Sequence, residues 1–166
     1  IIKATPFEMV LIVCDFMIYT VTLNPAIDET LEVRQLLAGG THRILSRARY
    51  AGGKGINAAR ALRVFAEDCT ALTIAGGATG QQLAELLRQE GLPCTIYAAL
   101  QPTRVNLKIV SDADGITTEL NETGFLGDTA PAGRLKAELL DRLKPGDTVV
   151  LCGSLPRDLP AGWYRD

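Results

Sequence analysis

Histidine is nearly missing from these 166 residues: His42 is the only one. The four cysteines, Cys14, Cys69, Cys94 and Cys152, lie far apart and form no C-x-x-C pair. These scarcities exclude a Cys/His zinc site and a disulfide framework. They leave the thiols to be read as buried and free, in a reducing, cytoplasmic setting. Neither sign of charge prevails, since 17 Lys and Arg stand against 19 Asp and Glu for a net charge of -2. A nucleic-acid surface, which shows a clustered basic excess, is therefore not expected. A membrane span is not expected either. The apolar stretch MVLIVCDFMIYTVTL at 9–23 falls short of the ~20 residues a bilayer requires and is interrupted by Asp15. It also lacks the basic start and small-residue cleavage site of a signal peptide. Residues 1–16 are read as an extension upstream of a natural start at Met17.

What is present is an ordinary globular composition, 47% hydrophobic and 22% charged, in a chain long enough to bury roughly 70% of its unfolded surface. Short apolar, β-branched runs at 18–23, 70–75, 94–99 and 148–151 read as buried strands. Helical spacing appears at Ile56, Ala59, Leu62 and Ala66, and again at Leu135, Leu139 and Leu143. A further helix is expected at 80–89, capped by Thr79 and closed by Gly91. Strand and helix alternate, which argues for a parallel α/β sheet with helices on both faces. Two pairs of more polar strands interrupt it. One pair lies at 31–36 and 44–50, and the other flanks Asp112-Ala113-Asp114-Gly115, a strong hairpin signal. They are read as a separate small antiparallel lid, with strands near 30–50 and 104–121.

Four features fall just past predicted strands or at helix starts, where open α/β sheets bind ligands. Asn24-Pro25-Ala26-Ile27-Asp28 is read as a turn after the first strand, with Asp28 an acceptor for hydroxyls or merely for local backbone. Ala51-Gly52-Gly53-Lys54-Gly55-Ile56-Asn57 leads into a helix, an arrangement that favours anions. It is neither a Walker A loop, because Gly55 stands where Ser or Thr is needed, nor a G-x-G-x-x-G fingerprint. In 103–108, Arg104, Asn106 and Lys108 share one strand face. Two cations and an amide suit a phosphate and hydroxyls, although an edge strand wears Lys for protection too. Gly153-Ser154-Leu155-Pro156 places Ser154 past the last strand without a G-x-S-x-G elbow, so a Ser–His hydrolase is not indicated.

Taken together, TLNPAID (22–28), YAGGKGINAARAL (50–62), GGATG (76–80), TRVNLKI (103–109), TELN (118–121) and GSLP (153–156) resemble the PfkB (ribokinase-like) carbohydrate kinases. The subgroup approached is that of 1-phosphofructokinases and tagatose-6-phosphate kinases, over Met17 to Asp166. The resemblance implies a ribokinase-like Rossmann-type sheet with a β-sheet lid, often a homodimer through that lid. It also implies phosphoryl transfer from ATP, with Mg²⁺, to a sugar phosphate. Asp28, Gly53 and Asn57 are then expected to hold sugar hydroxyls. Lys54, Arg104 and Lys108 are expected near the substrate phosphate, and Ser154 should close the site. Fructose 1-phosphate, giving fructose 1,6-bisphosphate, is the first expectation, and tagatose 6-phosphate the second. A non-catalytic sugar-phosphate binder is a reading from another class. The family's G-A-G-D anion hole with its Asp base, and its N-x-x-E motif linked to Mg²⁺, have no counterpart here. Both are expected after Asp166, so the chain is read as a truncated N-terminal portion, inactive alone and without a metal site of its own. Ala66 also replaces a Gly usual in the family.

Overall fold

β-Branched residues concentrate in short runs that a pleated, buried sheet accommodates well, and the computed structural model, which describes residues 16–65 and 68–165, builds its sheets from them. The extension expected at 1–16, Cys14 and Ala66 fall on or almost wholly on residues outside that range. In chain order the elements are β1 (Ile18–Thr22), β2 (Ala26–Val33), β3 (Ile44–Gly52), α1 (Lys54–Val64), β4 (Cys69–Gly76) and α2 (Gly77–Gln89). They continue with β5 (Cys94–Ala99), β6 (Arg104–Ser111), β7 (Thr117–Asn121), α3 (Ala130–Arg142) and β8 (Thr148–Leu151).

The first sheet has the order β5-β4-β1-β8 and is parallel throughout. Side chains alternate across a strand, and β4 shows what this does for the layers. Ala71 and Ala75 join the core beneath α1 and α2, with Ile56, Ala59, Leu83 and Leu87. Leu72 and Ile74 point the other way, to Leu135 and Leu139 of α3. Small residues on one face let two helices approach closely, and large ones on the other fill the space below a single helix. Helices thus cover both faces. Leu72, Leu83 and Leu135 are fully buried, each worth about 1.5–3 kcal/mol relative to exposure. Among the described residues no helix is long and apolar enough to cross a membrane.

The second sheet has the order β3-β2-β6-β7. Its two hairpins are antiparallel inside, but β2 and β6 meet in parallel, Ala26 opposite Arg104 through Val33 opposite Ser111. The expected purely antiparallel arrangement is therefore corrected to a mixed sheet. β2 also begins at Ala26, so Asp28 stands within a strand and not in a turn. β6, paired on both sides, is no edge strand.

Two further expectations are revised. Thr79 does not cap α2, whose N-cap is Gly76. It lies in the first turn, and its hydroxyl donates to the Thr103 carbonyl at 2.6 Å. β8 is half-exposed where a buried strand was expected. Cys69 is buried, while Cys94 and Cys152 are intermediate. Gly91, with φ 63°, follows α2 as expected of a helix-ending glycine.

Candidate functional site

The turn from β1 into β2 is the anchor. Asn24 is buried there, and its Nδ2 donates to the Thr123 carbonyl at 2.8 Å and to Ser154 Oγ at 3.1 Å. Gly124, with φ 84°, allows this approach: a Cβ on it would stand 2.0 Å from Asn24 Oδ1. Arg104, at the start of β6, ties the same turn to the end of β7. Its guanidinium donates to the carbonyls of Asn24 at 3.0 Å, Pro25 at 3.3 Å and Glu122 at 2.8 Å. Burial pushes the Arg104 pKa down, and the carboxylates of Asp28 and Glu122 oppose that.

From Arg104 a polar chain runs along the sheet. Arg104 donates to Asn106 Oδ1 at 3.3 Å, and Asn106 Nδ2 donates to Asp28 Oδ1 at 2.9 Å. The parallel register makes this possible by setting Asp28 directly opposite Asn106. The Asp28 carboxylate rests on Gly52, where a Cβ would stand 2.2 Å from Oδ2. Here the glycine is required for space and not for an unusual backbone angle. Asp28, Thr30, Arg104, Asn106, Lys108, Glu119 and Asn121 line a cavity of about 450 Å³ on this face of the second sheet. Lys108 stands opposite Glu119 across β7 and opposite Thr30 across β2.

The glycine-rich stretch borders this cavity at Asp28. Gly53, with φ 135°, takes the N-cap of α1 without a side-chain cap. Thr22 serves instead, its buried Oγ1 accepting the Ile56 N–H at 3.0 Å. Lys54 is exposed at the first helical position. Its Cβ lies 3.7 Å from where a Cβ on Gly153 would be, so the loops after β3 and β8 meet. Burial raises the Cys152 pKa there, and the Lys54 charge pulls it back.

The structure therefore brings Asp28, Arg104 and Lys108 onto one cavity, with Gly53 following the Gly52 on which Asp28 rests, while Lys54 stands by Gly153 and lines no part of that cavity. Ser154 connects through Asn24. Asn57 is exposed on the first turn of α1, outside the cavity wall, with its Oδ1 accepting from Arg60 at 2.5 Å. Ser154 is bonded to Asn24, and His42 is engaged locally with the Leu37 carbonyl at 2.8 Å, so no nucleophile–base pair forms between them. Among the described residues no group of three or more His, Cys, Asp or Glu side chains could hold a metal ion.

Sequence reasoning passed over Thr22, Asn24, Arg60, Glu119 and Asn121 as individual site residues. Glu119 and Asn121 carried a usable signal: they are two apart on β7, opposite Lys108 and Asn106. The hairpin turn at Asp114-Gly115 fixes that pairing. Thr22 and Asn24 had none beyond belonging to the first strand and its turn, because their partners lie 34 to 130 residues away.

Comparison with known proteins gives this geometry a setting. The profile described as pfkB family carbohydrate kinase matches residues 21–166. A 1-phosphofructokinase of Bacillus subtilis is 39% identical over 151 residues, covering 90% of this chain and 48% of that protein. A tagatose-6-phosphate kinase of Staphylococcus epidermidis is 33% identical over 150 residues, with the same coverage. The crystal structure of phosphofructokinase-2 from Escherichia coli in complex with fructose-6-phosphate superposes with a TM-score of 0.84 at 32% identity. It covers 90% of this chain and 49% of that one. The chain thus spans about half the length of the relatives it matches.

Proposed function

The chain belongs to the pfkB family of carbohydrate kinases, and from that premise we propose that it forms the acceptor half of a site for ATP-dependent phosphorylation of a sugar phosphate. The observation that carries this is the joined row Arg104–Asn106–Asp28, with Lys108 beyond it, on one cavity wall. Phosphoryl transfer asks chiefly for positioning and charge neutralisation. Asp28, held by Asn106 and seated on Gly52, is an acceptor for a sugar hydroxyl. Lys108 and Arg104 supply positive charge for a phosphate the substrate already carries, and Lys54 adds to it from the helix start. An unphosphorylated sugar has no use for so many cations in a chain of net charge -2.

ATP and Mg²⁺ are the cofactors this reading requires. ATP supplies the phosphoryl group. The described residues form no Mg²⁺ cluster, and their part is to bind and orient the acceptor. Fructose 1-phosphate is the substrate proposed first, tagatose 6-phosphate second, in keeping with the relatives' names. The second sheet is the proposed lid. Its face away from the cavity carries Leu31, Ile109 and Leu120 by register and alternation, which supports a homodimer there, decided by sedimentation equilibrium.

Calorimetric titration of the chain with fructose 1-phosphate, tagatose 6-phosphate and fructose tests the proposal. Both phosphates should bind at least tenfold more tightly than fructose, about the weight of one charge-assisted contact. Equal binding of fructose would remove the phosphate from the reading. Binding of tagatose 6-phosphate in preference to fructose 1-phosphate would reverse the order of substrates.

A further inference from the structure

Arg60 takes no part in the cavity, yet it has more polar partners than its half-buried helical position requires. It lies on α1, one turn after Asn57, so the two side chains share a face. Its guanidinium donates to Asn57 Oδ1 at 2.5 Å and to the Ala51 carbonyl. On its other side it meets both carboxylate oxygens of Glu90, at 2.6 and 2.9 Å. Glu90 is the C-cap of α2. A carboxylate at a helix C-terminus is disfavoured by the helix dipole, so its presence here calls for a compensating cation, and Arg60 supplies it. One guanidinium thus ties together the end of β3, the first turn of α1 and the end of α2.

We propose that Arg60 is a positioning residue for the acceptor sugar, an inference that rests on the function proposed above. Two consequences follow from the bonds. The oxygen of the Asn57 amide is taken by the guanidinium, so the amide presents its Nδ2 end outward and Asn57 acts as a donor to a substrate oxygen. The Ala51 carbonyl is held in place, and with it Gly52, on which the Asp28 carboxylate rests. Arg60 therefore fixes the backbone on which the acceptor Asp28 rests, and sets the Asn57 amide, which lies outside the cavity wall, to donate to a substrate oxygen that reaches it, from a position that itself lines no part of the cavity. Lysine cannot replace it, because a single ammonium does not reproduce a planar fork shared among three partners.

The test is a double-mutant cycle on the chain, read as sugar-phosphate Kd by calorimetry, with Arg60→Lys, Asn57→Ala and both together. Arg60→Lys should weaken binding about tenfold, as should Asn57→Ala. The double variant should fall clearly short of the product of the two single effects, because Arg60 acts in part through that amide. Effects that multiply to about a hundredfold would overturn the proposal, as would an unchanged Kd in Arg60→Lys. If the unsubstituted chain binds no sugar phosphate, the acceptor-site reading itself fails, and the clamp is then decided by NMR alone. The side-chain NH₂ signals of Asn57 should shift in Arg60→Lys, and signals that stay in place would sink the clamp.

Discussion

Gly52→Ala is the sharpest perturbation available at this site, because it adds one methyl group and nothing else. Gly52 ends β3 without a positive φ, so alanine is compatible with the backbone. The new Cβ would stand 2.2 Å from Asp28 Oδ2, 2.4 Å from its Cγ and 2.7 Å from Oδ1. No carboxylate tolerates that, and Asp28 must rotate away. Leaving its rotamer well costs about 0.5–1.5 kcal/mol. Losing the hydrogen bond from Asn106, and with it the position from which a sugar hydroxyl is held, costs about 1.5–3 kcal/mol. The sum is roughly 2–4.5 kcal/mol, or a Kd for the sugar phosphate raised roughly 30- to 1,600-fold at 1.4 kcal/mol per decade. Calorimetry on the wild-type and Gly52→Ala chains reads this directly, and circular dichroism shows whether the fold persists. A folded Gly52→Ala chain with an unchanged Kd would refute the placement of Asp28 in the site.

Arg104→Ala should weaken sugar-phosphate binding by about 1.5–3 kcal/mol. It should also lower the thermal midpoint, because Arg104 holds the carbonyls of Asn24, Pro25 and Glu122; calorimetry and a melting curve check the two halves separately. Thr22→Val removes the acceptor for the Ile56 N–H and should cost about 1–3 kcal/mol in urea unfolding, with Thr22→Ser restoring most of it. Asp147 accepts the backbone N–H groups of Met17 and Lys144, which hold its pKa below the ordinary value. A carboxyl lowered on folding stabilises above its unfolded pKa of about 3.9 and ceases to do so as pH falls through the folded value. The melting midpoint of wild type should therefore exceed that of Asp147→Asn near pH 6, and the gap should close towards pH 2.

The alternation of strands and helices was legible because it depends on local periodicity, as the runs that became β4 and β5 show. The start of β2 was not. Pro25 and Asp28 carry a turn signature, and what makes them the entrance to a strand is β6, whose residues lie 78 positions further on. The same long-range pairing turned an expected antiparallel lid into a mixed sheet and moved Lys108 from an edge to an interior strand. At the site, residue types and strand-face periodicity singled out Asp28, Arg104 and Lys108, and the structure gathers them. Asn57 was chosen from its place in the glycine-rich motif, and its orientation depends on Arg60 and Glu90, two residues whose meeting no spacing in the sequence reveals.

The parallel register between β2 and β6 makes the cavity wall behave as a ruler. Successive positions on one face of a strand repeat every ~6.6 Å, so Arg104, Asn106 and Lys108 mark graduations about 6.6 and 13 Å apart. Those marks belong to the backbone ladder and not to any loop. On the function proposed above, a ligand would be measured against them by its length, from hydroxyl to phosphate. Retuning the site for a longer or shorter molecule would therefore mean moving a charge by two residues along the strand, a coarse step that resists gradual drift.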